Sequence, residues 1–531
     1  VAAESTMKNE HQTHAPAGAP SPPAGLRLYL YLTAGVTGAS IMIVEILGAK
    51  MLAPWFGTSH FVWTAQIAVT LVALAAGYYA GGRLVGTTAR LGRLYGAIMI
   101  AAAYLALSVA LAETVSYVFL PLPLAAGSLL SAVFLFFIPL GLLAMTGPFV
   151  VRVLTSTVND VGGNMGRLTA VSTIGSFIGT LAIGYVLIPL LPNSTTMFAT
   201  AVLLAVIGLL YFLAWRRKAA TVAVLAVITA AGLGSGAWGI GSESFGNPSF
   251  AEIFRGNSNF GMLQVLQEKD RPYRLYLTDY LIQNTYDVTR GRSVSMFTYM
   301  LEGLARAYSP RLQRVLCIGM GVGIVPRDLA RQGVDVDVVE INPAVVPVAR
   351  RFFDLDPGAF HLTIGDGRQF LNTAEGPYDA VILDAFNGDS SPSHLLTREA
   401  FTSIRRVMSP DGVMVMNSFA DLSPSNDRVT ASIARTLRSV FGSLHVHGLL
   451  NGNTLFVASP RAELSFLHQP VFTDVHAEAL SEVRQAYDSQ WDIDLSHGIV
   501  LTDDYNPLDF WDAANREKYR RTLALSMRNR Q

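Results

Sequence analysis

VLCIGMGVGIVPRDLARQGVDVDVVE, residues 315–340, is the stretch whose reading decides the fold. Val315 to Ile318 is a short apolar run, as a buried parallel strand requires. Gly319, Met320, Gly321, Val322 and Gly323 follow as G-x-G-x-G. Such glycines let the chain turn tightly and let a ligand approach the N-terminus of the next helix. The spacing predicts a helix from Ile324 to Gln332, stopped by Gly333. A second strand, Val334 to Val339, then closes on Glu340. An acid about 20 residues past the first glycine can accept hydrogen bonds from ribose hydroxyls. Strand, glycines, helix, strand and acid together form the context a nucleotide site needs.

Downstream the pattern continues. A third strand, HLTI, leads into Gly365, Asp366 and Gly367. An acid there suits the exocyclic amine of adenine, and it equally suits the N-cap of the helix holding Arg368 to Leu371. A fourth strand, DAVILDAF, reaches Asp384 at the carboxyl edge of the sheet, where doubly wound folds place ligands.

Upstream the chain is of another kind. Charged residues make up only 15% of the sequence, and very few of them lie between Leu26 and Gly241. A spanning helix needs about 20 apolar residues. Seven candidates occur, roughly at 27–52, 61–82, 92–113, 122–148, 165–190, 196–215 and 219–241. The last is rich in Ala and Gly. Orientation follows Lys and Arg in short loops. Arg83, Arg90 and Arg93 follow the second segment, Arg152 and Arg167 flank the join of fourth and fifth, and Arg216, Arg217 and Lys218 follow the sixth. These put the N-terminus in the cytoplasm. Seven spans then set the C-terminal half outside the cell. A re-entrant or interfacial seventh segment keeps that half in the cytoplasm, and this is the expectation. Glu45, inside the first segment, is expected to face the bundle interior. It reads either as a cation or amine site or as a structural partner near Lys50.

The fold class expected is therefore a multi-pass α-helical membrane bundle followed by an α/β methyltransferase-like (Rossmann-like) domain with a small N-terminal β subdomain. The divisions are 1–25, a polar Pro- and Ala-rich tail expected to be disordered; 26–241, the bundle; 242–300, the β-rich subdomain; and 301–531, the catalytic domain. Formal net charge is zero and no basic stripe is interleaved with aromatics, so nucleic acid is not an expected partner. Cys317 is the only cysteine, and no residue cluster has metal-ligand spacing, so neither an intramolecular disulfide nor a metal is expected.

From about Phe260 to Pro460 the sequence resembles the spermidine synthases, aminopropyltransferases on a methyltransferase-like fold. The whole chain resembles bacterial membrane proteins in which several helices are fused to such a domain. RLYLTDYLIQNTYD is similar to the family strand at the gate of the site, carrying Asp279 and Gln283. MFTYML places Tyr299 where the family has a tyrosine. VLCIGMGVG, VVEINP, IGDGRQF and VILDAF match the cofactor strands in order, and LTDDYNPLD and EILGAKMLAPWFG are similar to segments of the fused subgroup.

The resemblance implies S-adenosylmethionine or its decarboxylated form as co-substrate, held by Gly319, Gly321, Gly323, Glu340, Asp366, Gly367 and Gln283. It implies Asp384 and Tyr299 as the residues orienting an amine and taking its proton. Asp279, Asn387 and Asp504 are the substrate-side candidates, Asp279 and Asp504 each having a turn as the alternative. Three positions depart from the family, the first being Met300, where the residue after the tyrosine is often Gln or His. Val322 stands where a glycine-loop acid holds the donor's propylamine, and Asn387 stands where a second acid helps hold the diamine. A hydrogen bond to a charged group is worth about 1.5–3 kcal/mol, so neutral residues at both positions weaken the hold on two ammonium groups. Three functions follow: aminopropyl transfer to an amine, a methyltransferase or lyase acting on S-adenosylmethionine, or a transporter or sensor with a nucleoside-binding domain. Expected partners are a small amine or an amphipathic acceptor, the lipid bilayer and a second copy of the chain. The bacterial inner membrane is the expected location.

Overall fold

A computed structural model describes residues 22–87, 90–155, 160–215, 219–242, 249–386, 392–419, 421–423, 427–450, 452–513, 517 and 520–522. Among them are seven helices long and apolar enough to cross a membrane: Ala24–Phe56, His60–Val85, Leu91–Phe119, Leu124–Leu154, Val161–Leu190, Asn193–Trp215 and Val222–Ile240. Small residues let these helices pack closely. A Cβ added at Gly179 on the fifth helix would lie 2.6 Å from the Ala39 carbonyl oxygen of the first, and one at Gly175 would strike the Gly35 carbonyl. The seventh segment, expected to be re-entrant or interfacial, belongs to an unbroken helix, Ala219–Ser242. Gly232, Gly236 and Gly239 lie against Ala103, Ala106 and Ala110, so it runs along the third helix. Regular helix wins here because glycine costs little where a neighbouring backbone fills its space. Glu45 is half-buried on the first helix.

The rest of the chain builds two sheets. The first is an antiparallel meander of β1 (Phe250–Ser258), β2 (Gly261–Glu268), β3 (Tyr273–Thr278), β4 (Leu281–Asp287) and β5 (Arg292–Ser293). The second contains β6 (Arg314–Ile318), β7 (Asp335–Glu340), β8 (His361–Ile364), β9 (Tyr378–Leu383), β10 (Met408–Ser418), β11 (Ser443–Gly448), β12 (Thr454–Ser459) and β13 (Gln490–Trp491). Its spatial order is β13-β11-β12-β10-β9-β6-β7-β8. The five strands from β10 to β8 pair in parallel, whereas β12 runs antiparallel to both β10 and β11. Counted from β6, the order 3-2-1-4-5-7-6 with a reversed seventh strand is the methyltransferase-like Rossmann arrangement that the glycine stretch predicted. Apolar side chains cover both faces of this sheet, with Val315, Cys317 and Ile382 on one side and Leu316, Ile318 and Val381 on the other. The order reverses between β6 and β9, and a crevice opens at such a switch point.

The α/β half docks on one end of the bundle. Phe510 packs against His60 and Phe61, with ring centroids 5.7 and 5.8 Å away. The Arg520 guanidinium donates to the Ala53 carbonyl at 2.9 Å and to the Asp279 carbonyl at 3.3 Å. Arg521 donates to the Leu122 carbonyl at 2.6 Å. These contacts fall at the first-to-second and third-to-fourth helix connections, the ends opposite Arg83, Arg93 and Arg152. Substituting Gly179→Leu is expected to force the first and fifth helices apart and lower stability by roughly 2–4 kcal/mol. Thermal denaturation of the detergent-solubilised full chain checks this.

Candidate active site

Gly319 begins the site. Its φ is +96°, and an added Cβ would collide with the Asp384 carbonyl, so only glycine lets β6 and β9 end side by side. The Gly319 amide donates to the Val339 carbonyl at 2.8 Å and the Asp384 amide to the Ile318 carbonyl at 2.9 Å, extending the sheet pairing into the turn. Gly321, at φ +53°, has open space where a side chain would point. Gly323, at φ +81°, precedes the helix Ile324–Arg331 and lies close against Leu355.

Around this turn the carboxyl ends of four strands converge on a cavity of about 400 Å³. That size suits a small organic ligand. Gly319, Gly321, Glu340, Asp366, Gly367, Asp384 and Gln283 all line it. Glu340 ends β7 buried, its two oxygens accepting from the Met320 amide at 2.9 Å and the Asn342 amide at 2.8 Å. Burial pushes its pKa up while these amides partly hold it down. The amides of Gly321 and Ile341 also face it and act in the same direction. Asp366 is the N-cap the sequence allowed, accepting from the Gln369 amide at 2.9 Å at the start of the helix Gly367–Thr373, and its position also puts it on the cavity. Burial raises its pKa, but the Gln369 amide and the His394 ring 3.0 Å away outweigh that and hold it below the usual carboxylate range.

Asp384 lines the cavity just past the end of β9. Burial pushes its pKa up to about 6, opposed by the Asn417 side-chain amide, which donates to it at 2.9 Å. Asn453 donates to the Asn417 oxygen at 2.9 Å in turn, so the two amides and the carboxylate form one chain. Phe260, Phe297, Phe386 and Phe419 make the cavity walls aromatic, and buried Val322 keeps the glycine-loop wall apolar.

Other candidates stand elsewhere. Asp279 and Tyr280, both at positive φ, form the two-residue turn joining β3 and β4, where such turns demand that conformation. The Asp279 carboxylate accepts from the Met262 amide at 2.9 Å and is not among the cavity residues. Tyr299 is also outside the lining. Its helix turns Phe297, Thr298 and Leu301 to the cavity, while the Tyr299 hydroxyl donates to the Ser293 carbonyl at 2.6 Å and accepts from the His476 amide. Asp504 is exposed in a bend, and its neighbour Asp503 pairs with Arg368 at 2.8 Å. Asn387 lies outside the described residues. His445 and His447 both bond the Tyr308 hydroxyl at 2.9 Å, a packing arrangement away from the cavity.

Sequence reading passed over Asn417, Asn453, His394 and Asp509, which also line the cavity. Asn417 sits near the end of parallel strand β10, so the strand-end rule that singled out Asp384 reaches it too. Asp509 closes the LTDDYNPLD stretch. Asn453 precedes an antiparallel strand and carries no such signal.

A methyltransferase-type sheet with acids after its second, third and fourth strands, all on one cavity, defines a methyltransferase-like α/β domain. The Spermine/spermidine synthase domain model matches residues 295–447. A polyamine aminopropyltransferase of Vibrio vulnificus is 31% identical over 223 residues, which are 38% of this chain and 70% of that protein. A probable polyamine aminopropyl transferase of Bifidobacterium longum is 28% identical over 39% of this chain and 44% of its own length. The crystal structure of spermidine synthase from Thermotoga maritima aligns with a TM-score of 0.36 and 18% identity, over 44% of this chain and 84% of that one. The chain belongs to the spermine/spermidine synthase family of transferases.

Gly319→Ala is expected to destabilise the protein by roughly 2–4 kcal/mol, because strained φ and a backbone collision coincide. Its thermal midpoint, measured beside Gly321→Ala, checks this. The second substitution meets no atoms and should cost less, carrying the backbone strain alone.

Proposed function

We propose that this protein is a membrane-embedded aminopropyltransferase, moving the aminopropyl group of decarboxylated S-adenosylmethionine onto an amine. One observation carries the reading: Glu340, Asp366 and Asp384 meet on a single cavity at the switch point of the sheet. Glu340 is placed for the ribose hydroxyls and Asp366 for the adenine edge. Asp384 faces the sulfonium and the incoming amine. The amine nitrogen forms a bond to the propyl carbon, the carbon–sulfur bond breaks toward sulfur, and neutral methylthioadenosine leaves. The new ammonium loses its extra proton, with Asp384 as the nearest base and the positive charge stabilised meanwhile by its carboxylate. Aromatic walls exclude water, and positioning supplies much of the rate.

A second reading is favoured by Val322. An apolar wall stands where a carboxylate would hold the donor's ammonium. Intact S-adenosylmethionine as donor then gives adenosylhomocysteine by methyl transfer. Mass spectrometry of nucleoside products from the full-length protein separates the two readings, with methylthioadenosine expected. Asp384 must be ionised to act, so kcat/KM is expected to fall as pH drops through about 6, and Asp384→Asn to lower kcat by roughly 100-fold or more. A pH–rate profile flat between 5 and 8 would remove Asp384 from the chemistry.

The seven apolar helices support a bundle crossing a cell membrane. The unbroken seventh helix, and docking of the α/β half on the ends away from the arginine-bearing connections, support a catalytic domain on the extracytoplasmic side. Cys317 is buried, so an introduced cysteine reports alone. In intact cells an impermeant maleimide is expected to label Thr402→Cys on the exposed face of the domain and to spare Arg93→Cys until lysis. The reverse pattern would place the domain in the cytoplasm.

A further inference from the structure

Three of the segments that line the cavity are tied to one end of the bundle. Phe260 lines the cavity three residues after Asn257, whose side-chain amide donates to the Leu191 carbonyl at the fifth-to-sixth helix connection. Asn342 also lines it and donates to the hydroxyl of Ser258, the last residue of the same strand, at 3.1 Å. Gln283 lies four residues past Asp279, whose carbonyl shares the Arg520 guanidinium with that of Ala53 on the first helix. The cavity residue Asp509 precedes Phe510, which stacks on His60 and Phe61. The anchors Ala53, His60 and Leu191 all belong to the end of the bundle on which the α/β half docks. The cavity is therefore turned toward the bundle. Large apolar side chains are uncovered on that end. Phe510 is 58% exposed in spite of its ring contacts, and Leu190, beside Leu191, is 72% exposed. Where helices leave a bilayer, aromatic and apolar side chains of this kind lie at the level of the lipid headgroups. The cavity itself has aromatic walls and Asp384, and no Lys or Arg is among its described lining residues. Such a site suits a cationic head on a hydrocarbon chain. It has no Lys or Arg to pair with the phosphate of an anionic lipid.

Resting on the aminopropyltransferase reading and on a bundle that crosses the membrane, we infer that the acceptor is an amphipathic primary amine taken from the bilayer. Its nitrogen enters over Asp384, and its hydrocarbon chain leaves past Phe260 and Phe510 into the lipid at the bundle end. The nitrogen bonds to the donor's propyl carbon, the carbon–sulfur bond breaks toward sulfur, methylthioadenosine leaves, and the extra proton on nitrogen passes to Asp384. The product carries two nitrogens separated by the transferred propyl unit and stays in the membrane. Burial of the chain in lipid, not the pairing of a second cation, then supplies the acceptor's affinity.

The test uses the full-length protein in lipid vesicles, with decarboxylated S-adenosylmethionine on both sides, reading methylthioadenosine release. The acceptors compared are butylamine, dodecylamine and a two-chain lipid with a primary-amine head. On bulk concentration, kcat/KM is expected to be at least about 100-fold higher for dodecylamine than for butylamine, since each added methylene favours transfer to lipid severalfold. The two-chain lipid does not leave its bilayer during the assay. It is expected to react when it shares vesicles with the protein, and at least about tenfold more slowly when the same amount is held in separate, protein-free vesicles. Phe510→Ser is expected to cut the preference for dodecylamine over butylamine roughly tenfold. The vesicle comparison needs only the wild-type chain, so it decides even where that variant fails to fold. A two-chain lipid inert in shared vesicles, equal rates in the two arrangements, or dodecylamine no better than butylamine would each overturn uptake from the bilayer. Methylthioadenosine release with butylamine would then leave the aminopropyltransferase reading standing. An unchanged preference in folded Phe510→Ser overturns the path past Phe510. Wild-type protein that releases no methylthioadenosine with any of the three amines overturns both readings.

Discussion

The backbone of Gly319 passes so near the carbonyl of Asp384 that nothing larger than hydrogen fits between them. This contact holds the ends of β6 and β9 together at the point where the strand order reverses. Because the two ends are flush, the glycine turn, Glu340 and Asp384 open onto the same space. The arrangement is held by backbone groups, through the Gly319 amide on Val339 and the Asp384 amide on Ile318, so the geometry is set before any ligand arrives. Preorganisation of this kind is what sulfonium chemistry asks of a protein, since the leaving group is already activated and the remaining work is alignment.

The legible part of the sequence was the part governed by local rules. Gly319, Gly321, Glu340, Asp366 and Asp384 are each marked by strand periodicity and strand-end position, and all five line one cavity. Failure came where a side chain's direction depends on tertiary packing. Tyr299 matches a motif, but the helix Met296–Tyr308 turns it toward Ser293 and His476. Asp279 carries the residue type of an amine ligand and also that of a turn, and the two-residue connection between β3 and β4 decides in favour of the turn. Asp509 was invisible for the opposite reason. No periodicity links the chain after Pro507 to the sheet; Leu508 buried in the core of the large sheet, and Arg428 over the Trp511 ring, bring it to the cavity. The seventh helix reads as weak because of its Ala and Gly content, whereas those small residues are what let it lie against the third helix.

Apolar helices and α/β domain are thus less separate than the composition implies. The charge-poor half contributes His60 and Phe61 to hold Phe510, and the C-terminal residues return to the helix ends from which the chain set out. Here Phe510, the neighbour of the cavity residue Asp509, rests on the bundle, although no bundle residue lines the cavity itself.

Arg520 joins three parts of the molecule through one planar group. It grips the last turns of the first helix at Ala53 and the β3–β4 hairpin at Asp279, and β4 carries Gln283 to the cavity. A guanidinium is rigid and its donors are fixed in direction. The first helix and the hairpin therefore behave as two arms of one lever, with a fulcrum of a single side chain and no slack segment between them. The end of that helix and the strand that carries Gln283 thus share one anchor, four residues along the chain from the cavity wall.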